Sequence, residues 1–211
     1  MNISAFLTAN WHRILELTLG HIELSLYAVG IALAIGIPVG VLCFCIRPVA
    51  VVTLNLVSVI YTIPTLALFG IMIPLLGIGA LPAIVAVVLY SLLPIVQGTY
   101  TGLTAVAPEI RESATGIGMS YGARLWRVEF PLALPVIFAG LRVAVVNAVG
   151  MMTLASLIGA GGLGDMVFRG ISTLSWALVF AGSVPVLLLA ILADLGLRTL
   201  ELHFKQKQGQ S

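Results

Sequence analysis

Five long apolar runs constrain this chain more than any other feature. They cover about residues 22–46, 50–76, 81–106, 132–158 and 176–197. Each is as long as the ~20 residues a helix needs to cross the hydrocarbon core of a bilayer. Within the runs the apolar residues follow one another without a two-residue alternation, which selects helices over a lipid-facing barrel. Composition points the same way, with 60% hydrophobic and 9% charged residues where an ordinary soluble domain carries roughly 25% charged. A soluble fold of 211 residues has too small an interior to hide so many apolar side chains. The expected fold is an all-α membrane protein with about five transmembrane helices, and the short connections leave no room for a separate soluble domain.

Charge sets the expected orientation. Arg47, Arg111, Arg124, Arg127, Arg198, Lys205 and Lys207 fall in one set of alternate loops, and only Arg13 and Arg169 in the other. Cytoplasmic loops carry the excess of Lys and Arg, so the N-terminus is expected outside, with the 107–131 loop and the C-terminus in the cytoplasm. A net charge of +2 supplies no electrostatic footprint for nucleic acid. Cys43 and Cys45 have no His, Asp or Glu beside them and read as packed thiols rather than metal ligands. The first 20 residues, with Arg13 and Glu16, lack the basic start and short apolar core of a cleavable signal. Residues 1–19 read as an N-terminal interfacial segment, because 10–19 is amphipathic; a frayed extension of the first helix fits the same pattern. Residues 200–211 read as a cytoplasmic tail.

Breakers punctuate the runs. Pro64 divides the second, Pro94 the third, Pro185 enters the fifth, and Gly36, Pro38 and Gly40 mark the first. Proline removes a backbone donor and crowds the preceding turn, and bent helices of this kind line transport pathways as well as occurring in structural spans. Polar groups inside a span are costly in lipid and face protein or water. Asn55, Tyr61, Tyr90, Gln97, Asn147 and Thr153 are therefore candidates for a pathway, although for any single one a bridge between helices is the more ordinary role. Met151 and Met152 suit an apolar gate or simple packing. Arg142 lies inside the fourth run, where it either snorkels to the cytoplasmic face or pairs across helices. Asp194 with Arg198, and Glu201 with Lys205, have the spacing of helical ion pairs. His21 and Glu23 have no evident partner. His12, His21 and His203 fall at or outside the expected membrane edges, so no catalytic constellation converges and an intramembrane enzyme is not expected.

The 107–131 loop carries the most specific signal. Pro108 suits a first helical position, and Glu109 and Glu112 complement the positive end of a helix dipole. Gly118 suits the left-handed position just past a helix end. Ser120 then caps a second short helix that stops before Pro131. The expected shape is a helix–glycine–helix elbow projecting from the membrane, suited to docking on another protein; an ordinary amphipathic connector on the membrane surface fits the same local signals.

Glu112-Ser113-Ala114, Gly118, and Val128-Glu129-Phe130-Pro131 have the spacing of the EAA loop. In this region the chain resembles permeases of bacterial ABC importers, whose pattern is Glu-Ala-Ala, three residues, Gly, nine residues, then Ile-x-Leu-Pro. Ser113, Val128 and Phe130 are mild departures. Ile35-Gly-Ile-Pro-Val-Gly40, Tyr61-Thr-Ile-Pro-Thr65, Leu89-Tyr-Ser-Leu-Leu-Pro-Ile95 and Ile158-Gly-Ala-Gly-Gly-Leu-Gly-Asp165 resemble the osmoprotectant branch, which imports glycine betaine, choline and carnitine. The last of these segments also resembles methionine importers. The likeness covers residues 20–199 and makes them a type I permease domain.

The resemblance implies that Glu112, Ser113, Ala114, Gly118 and Pro131 couple to a cytoplasmic ABC ATPase. Ile110, Ala114, Ile117 and Met119 would fill its groove, with Arg111, Arg124 and Arg127 at the rim. Gly118→Asp is then expected to weaken docking through added bulk and charge. Tyr61, Tyr90, Gln97, Asn147, Met151 and Thr153 are the implied pathway residues. Asp165 and Arg169 would touch an extracytoplasmic solute-binding protein or stabilise their own turn. No Gly-Lys-Ser/Thr phosphate loop exists, since the two lysines, Lys205 and Lys207, follow Phe204 and Gln206 rather than Gly. ATP and Mg are therefore expected in a partner, and no cofactor or metal in this chain. The other implied partner is a second permease copy or paralogue, in the bacterial inner membrane. A small ATP-independent channel is the rival reading, but gives no reason for the EAA spacing.

Overall fold

The computed structural model describes residues 3–207. It is helical throughout, with no strand among the described residues. The helices are α1 (Ile3–Cys45), α2 (Arg47–Thr62), α3 (Thr65–Leu76), α4 (Ala80–Thr104), α5 (Pro108–Gly116), α6 (Tyr121–Arg124), α7 (Phe130–Ala155), α8 (Gly164–Ser172) and α9 (Trp176–Lys207). A π-helical turn, Leu125–Glu129, fuses α6 to α7, and a 3-10 turn, Ser156–Ile158, follows α7. Four helical stretches are long and apolar enough to span a membrane, and α2 with α3 forms a fifth candidate bent by 98°. This accords with five expected spans.

The elements differ from the sequence expectation at their ends and breaks. Residues 3–19 are continuous with the first span in one unbroken helix. At 43 residues, α1 is about 65 Å long at 1.5 Å per residue, twice the ~30 Å hydrocarbon core. Residues 200–207 likewise continue α9, while Met1, Asn2 and residues 208–211 lie outside the described residues. Of the prolines, only Pro64 breaks its span. Ile63 is extended, at φ −64° and ψ 128°, as expected for a residue before proline. Pro38, Pro94 and Pro185 stay inside continuous helices, because neighbouring helices can hold a proline-containing turn in place.

The core forms where α4 packs between α1 and α7. Ala28 and Ala32 of α1, Ala83 and Ala86 of α4, and Ala144 and Ala148 of α7 are completely buried. Small side chains let helix backbones approach closely, which replaces the missing hydrophobic drive inside a bilayer. Between α4 and α7 the approach is close enough that a Cβ on Gly140 would overlap the carbonyl oxygen of Pro94, and one on Gly98 would lie 3.2 Å from the Cα of Gly140. On the outside of the bundle, α9 presents Leu187, Leu188, Ile191 and Leu192 as exposed apolar surface.

Candidate functional site

Local sequence builds the elbow. Pro108 starts α5 at a position whose N–H has no intrahelical partner. At the other end, Gly118 adopts φ +86°. Its N–H donates to Thr115 O at 2.9 Å, and Met119 N–H donates to Ala114 O at 3.2 Å. This pair of bonds is the Schellman closure, which favours glycine at the left-handed position. Ser120 Oγ then accepts from Ala123 N at 3.4 Å and caps α6. The second helix does not stop before Pro131. It passes through the π turn into α7, with Phe130 N–H reaching back five residues to Leu125 O. The wider turn accommodates a ring that would crowd a normal helical turn.

The elbow is braced from beneath by charge. Glu129 is fully buried, with Oε1 2.9 Å from Arg124 Nε and 3.5 Å from Arg111 Nε, as charge contacts rather than aligned hydrogen bonds. Arg111 also donates to Leu103 O at 2.7 Å and lies 5.3 Å over the Phe44 ring. Arg124 donates to Thr115 Oγ1 at 2.9 Å. Tyr121 O–H reaches Cys45 Sγ at 3.3 Å. These links tie α5 and α6 to the elbow-side ends of α1, α4 and α7. Arg111 and Arg124 are thus a clamp beneath the elbow, not a rim around it. Glu129 occupies the unspecified position of the motif, and its role was signalled only by a lone acid at the head of an apolar run.

The face left open is apolar and acidic. Glu112 and Ser113 are exposed, Ile117 is 81% exposed and Ile110 39%. Ala114 is buried, so it packs inward and is unavailable to fill a groove in a partner. A Cβ on Gly118 meets nothing within 4 Å; the demand on that position is its backbone conformation, not space.

A trough runs along α7 within the membrane-spanning region. A cavity of about 440 Å³ opens on the α4–α7 seam and is lined by Tyr61, Gln97, Thr101, Gly98 and Gly140, among others. A second, of about 380 Å³, is lined by Arg142, Asn147 and Asp194, and shares Ala139 and Val143 with the first. Asn147 Nδ2 donates to Tyr61 O–H at 3.0 Å, joining the end of α2 to α7. The Tyr90 ring lies 5.5 Å from that of Tyr61 but is buried behind it. The trough therefore collects Tyr61, Gln97 and Asn147. Met151 and Met152 belong to the buried core, Thr153 donates to Val149 O at 3.3 Å, and Asn55 is exposed elsewhere on α2.

Charged residues within the spans find partners that linear spacing did not indicate. Arg142 pairs across helices, through Nε to Asp194 Oδ1 at 2.7 Å and Nη1 to Glu201 Oε2 at 3.1 Å. Asp194 thus serves Arg142 instead of the expected Arg198. Glu201 does meet Lys205, at 2.6 Å. His21 is completely buried within the bundle, and its Nε2 lies 3.0 Å from Val149 O. Asp165 and Arg169 sit on α8 after the glycine-rich turn, with Arg169 exposed.

Bent and continuous apolar spans around a trough that gathers Tyr61, Gln97 and Asn147, with a braced elbow at one end, describe a multi-pass membrane protein. Residues 32–206 match the family described as binding-protein-dependent transport system inner membrane component, and the chain belongs to that family. It is 47% identical over 197 residues to the osmoprotectant import permease protein OsmW of Salmonella typhimurium, covering 91% of this chain and 92% of that one. It is 41% identical over 189 residues to the glycine betaine/carnitine/choline transport system permease protein OpuCB of Bacillus subtilis, covering 90% and 87%. A solved inward-facing structure of the MetNI methionine ABC transporter has the same fold, with a TM-score of 0.80 at 21% identity over 90% of this chain and 95% of that one. The chain is an inner-membrane permease of the ABC importer fold.

Proposed function

We propose that this chain is the permease subunit of an ATP-driven importer for a small osmoprotectant such as glycine betaine, choline or carnitine. The observation that carries the reading is the elbow, whose exposed Ile110, Glu112 and Ile117 stand on a clamp tied into three spans. Such a surface transmits force only if another subunit pushes on it. A cytoplasmic ATPase binding Mg and ATP is that subunit, with Glu112, Ser113, Gly118 and Pro131 on the elbow it engages. The elbow faces the cytoplasm and the N-terminus lies outside, as the Lys and Arg asymmetry favours. A second permease, identical or paralogous, completes the pathway, and an extracytoplasmic binding protein delivers solute near Asp165 and Arg169. ATP binding closes the ATPases, and the elbows carry that motion into α4 and α7, exposing the Tyr61–Gln97–Asn147 trough to alternate sides. The relatives' substrates support the solute class.

Uptake of labelled glycine betaine in cells with and without this chain, competed by choline, carnitine and methionine, tests the reading. Loss of uptake on deletion, with competition by the quaternary ammonium solutes, is expected. Unchanged betaine uptake in cells with no second betaine system, or loss of methionine uptake alone, would discard the solute.

A further inference from the structure

The Arg142–Asp194 pair is placed oddly for a structural bridge. Charges inside a span that serve only to join helices are best shut away from other partners, as Glu201 is, with 9% of its side chain exposed. Arg142 and Asp194 instead keep 30% and 36% exposed, and both line the cavity of about 380 Å³ that carries Asn147 on its wall. Ionisable residues within membrane spans that face a cavity mark solute pathways, and this cavity falls in the size range of small-molecule sites. The pair offers one guanidinium and one carboxylate side by side. Two of the five N–H groups of an arginine are engaged here, by Asp194 and Glu201.

We propose that Arg142 and Asp194 form a solute-binding station in the permease itself, for a zwitterion that carries a carboxylate and a quaternary ammonium. The proposal rests on the osmoprotectant reading and names which of those solutes the permease favours. The solute's carboxylate bonds to Arg142 and its cationic head lies against Asp194. Arg142, Asp194, Glu201 and Lys205 together are neutral, and a zwitterion leaves that balance unchanged. A solute with only a cationic head, such as choline, adds one uncompensated positive charge in a medium where such charge is costly. The station therefore favours glycine betaine or carnitine over choline, independently of the binding protein.

The test is equilibrium binding of labelled glycine betaine and labelled choline to the purified permease–ATPase complex in lipid nanodiscs, with the binding protein left out. The wild-type complex is expected to bind betaine saturably and more tightly than choline. Arg142→Gln should weaken betaine about tenfold, the loss of one charge-assisted hydrogen bond, and leave choline unchanged or tighter. Asp194→Asn should shift the ratio the other way by weakening choline more. Arg142→Lys keeps the charge and should give an intermediate ratio even if the Gln variant does not assemble. Equal losses for both solutes in these variants would mean a purely structural bridge and overturn the proposal, as would no saturable betaine binding by the wild type. Uptake by the wild-type complex with its binding protein separates the two readings. Uptake without station binding sinks the station alone, whereas no betaine uptake sinks the osmoprotectant reading and the station with it.

Discussion

The elbow and the α4–α7 seam are built on opposite principles. The elbow is held by Glu129, Arg111 and Arg124, with further bonds from Arg111 to Leu103 O and from Arg124 to Thr115 Oγ1, and its outer face is exposed. The seam is closed instead by small residues, with Gly98, Gly102, Gly140 and Ala133 bringing the two backbones close. Each suits its solvent. Near water, charge clamps join segments that small apolar contacts could not; within lipid, close packing does that work because no hydrophobic drive exists between helices. The elbow can thus move as one piece with the ends of α4 and α7, while the seam keeps those two helices together as they move.

Substitutions can break each half separately. Glu129→Ala should have the largest effect, about 3 kcal/mol or more, since it leaves two arginines facing each other across a buried site. Thermal unfolding of the purified permease measures it, and a loss under 1 kcal/mol would deny the clamp. Gly140→Ala should cost about 1–3 kcal/mol by overpacking against Pro94 O, seen in the same melt while the isolated elbow contacts stay intact. Gly118→Val should cost about 1–2 kcal/mol through the left-handed backbone. Its signature is loss of coupled transport with little change in the melting of the spans. Smallest is Tyr61→Phe, about 1 kcal/mol for the bond from Asn147. It should alter uptake kinetics more than stability, and an unchanged transport profile would remove Tyr61 from the trough.

What was legible in the sequence follows the same division. The elbow's ends were readable because Pro108, Gly118 and Ser120 act on the residues beside them. Within the chain itself the Gly118 site is open, so the constraint that its own fold places there lies in φ. The clamp was illegible because Glu129 meets arginines 5 and 18 residues away, a pairing set by how α5 folds under α7. Proline illustrates the limit most clearly. Pro64 and Pro94 look alike in sequence, yet one bends its span by 98° and the other sits in an unbroken helix pressed against Gly140. Local chemistry is common to both, and tertiary packing decides. Arg142 shows the same lesson, since only the folded bundle brings it to Asp194 rather than leaving Asp194 to Arg198.

Family membership and fold place the chain among importers, and ATP coupling through the elbow is the central claim. The direct measurement is betaine accumulation in proteoliposomes carrying this permease with its ATPase and binding protein, with and without ATP on the elbow side. Accumulation above the external concentration only with ATP, abolished by Gly118→Val while the ATPase still hydrolyses, is the predicted result. Equilibration of betaine without ATP, unaffected by that substitution, would make the chain a passive channel and contradict the account.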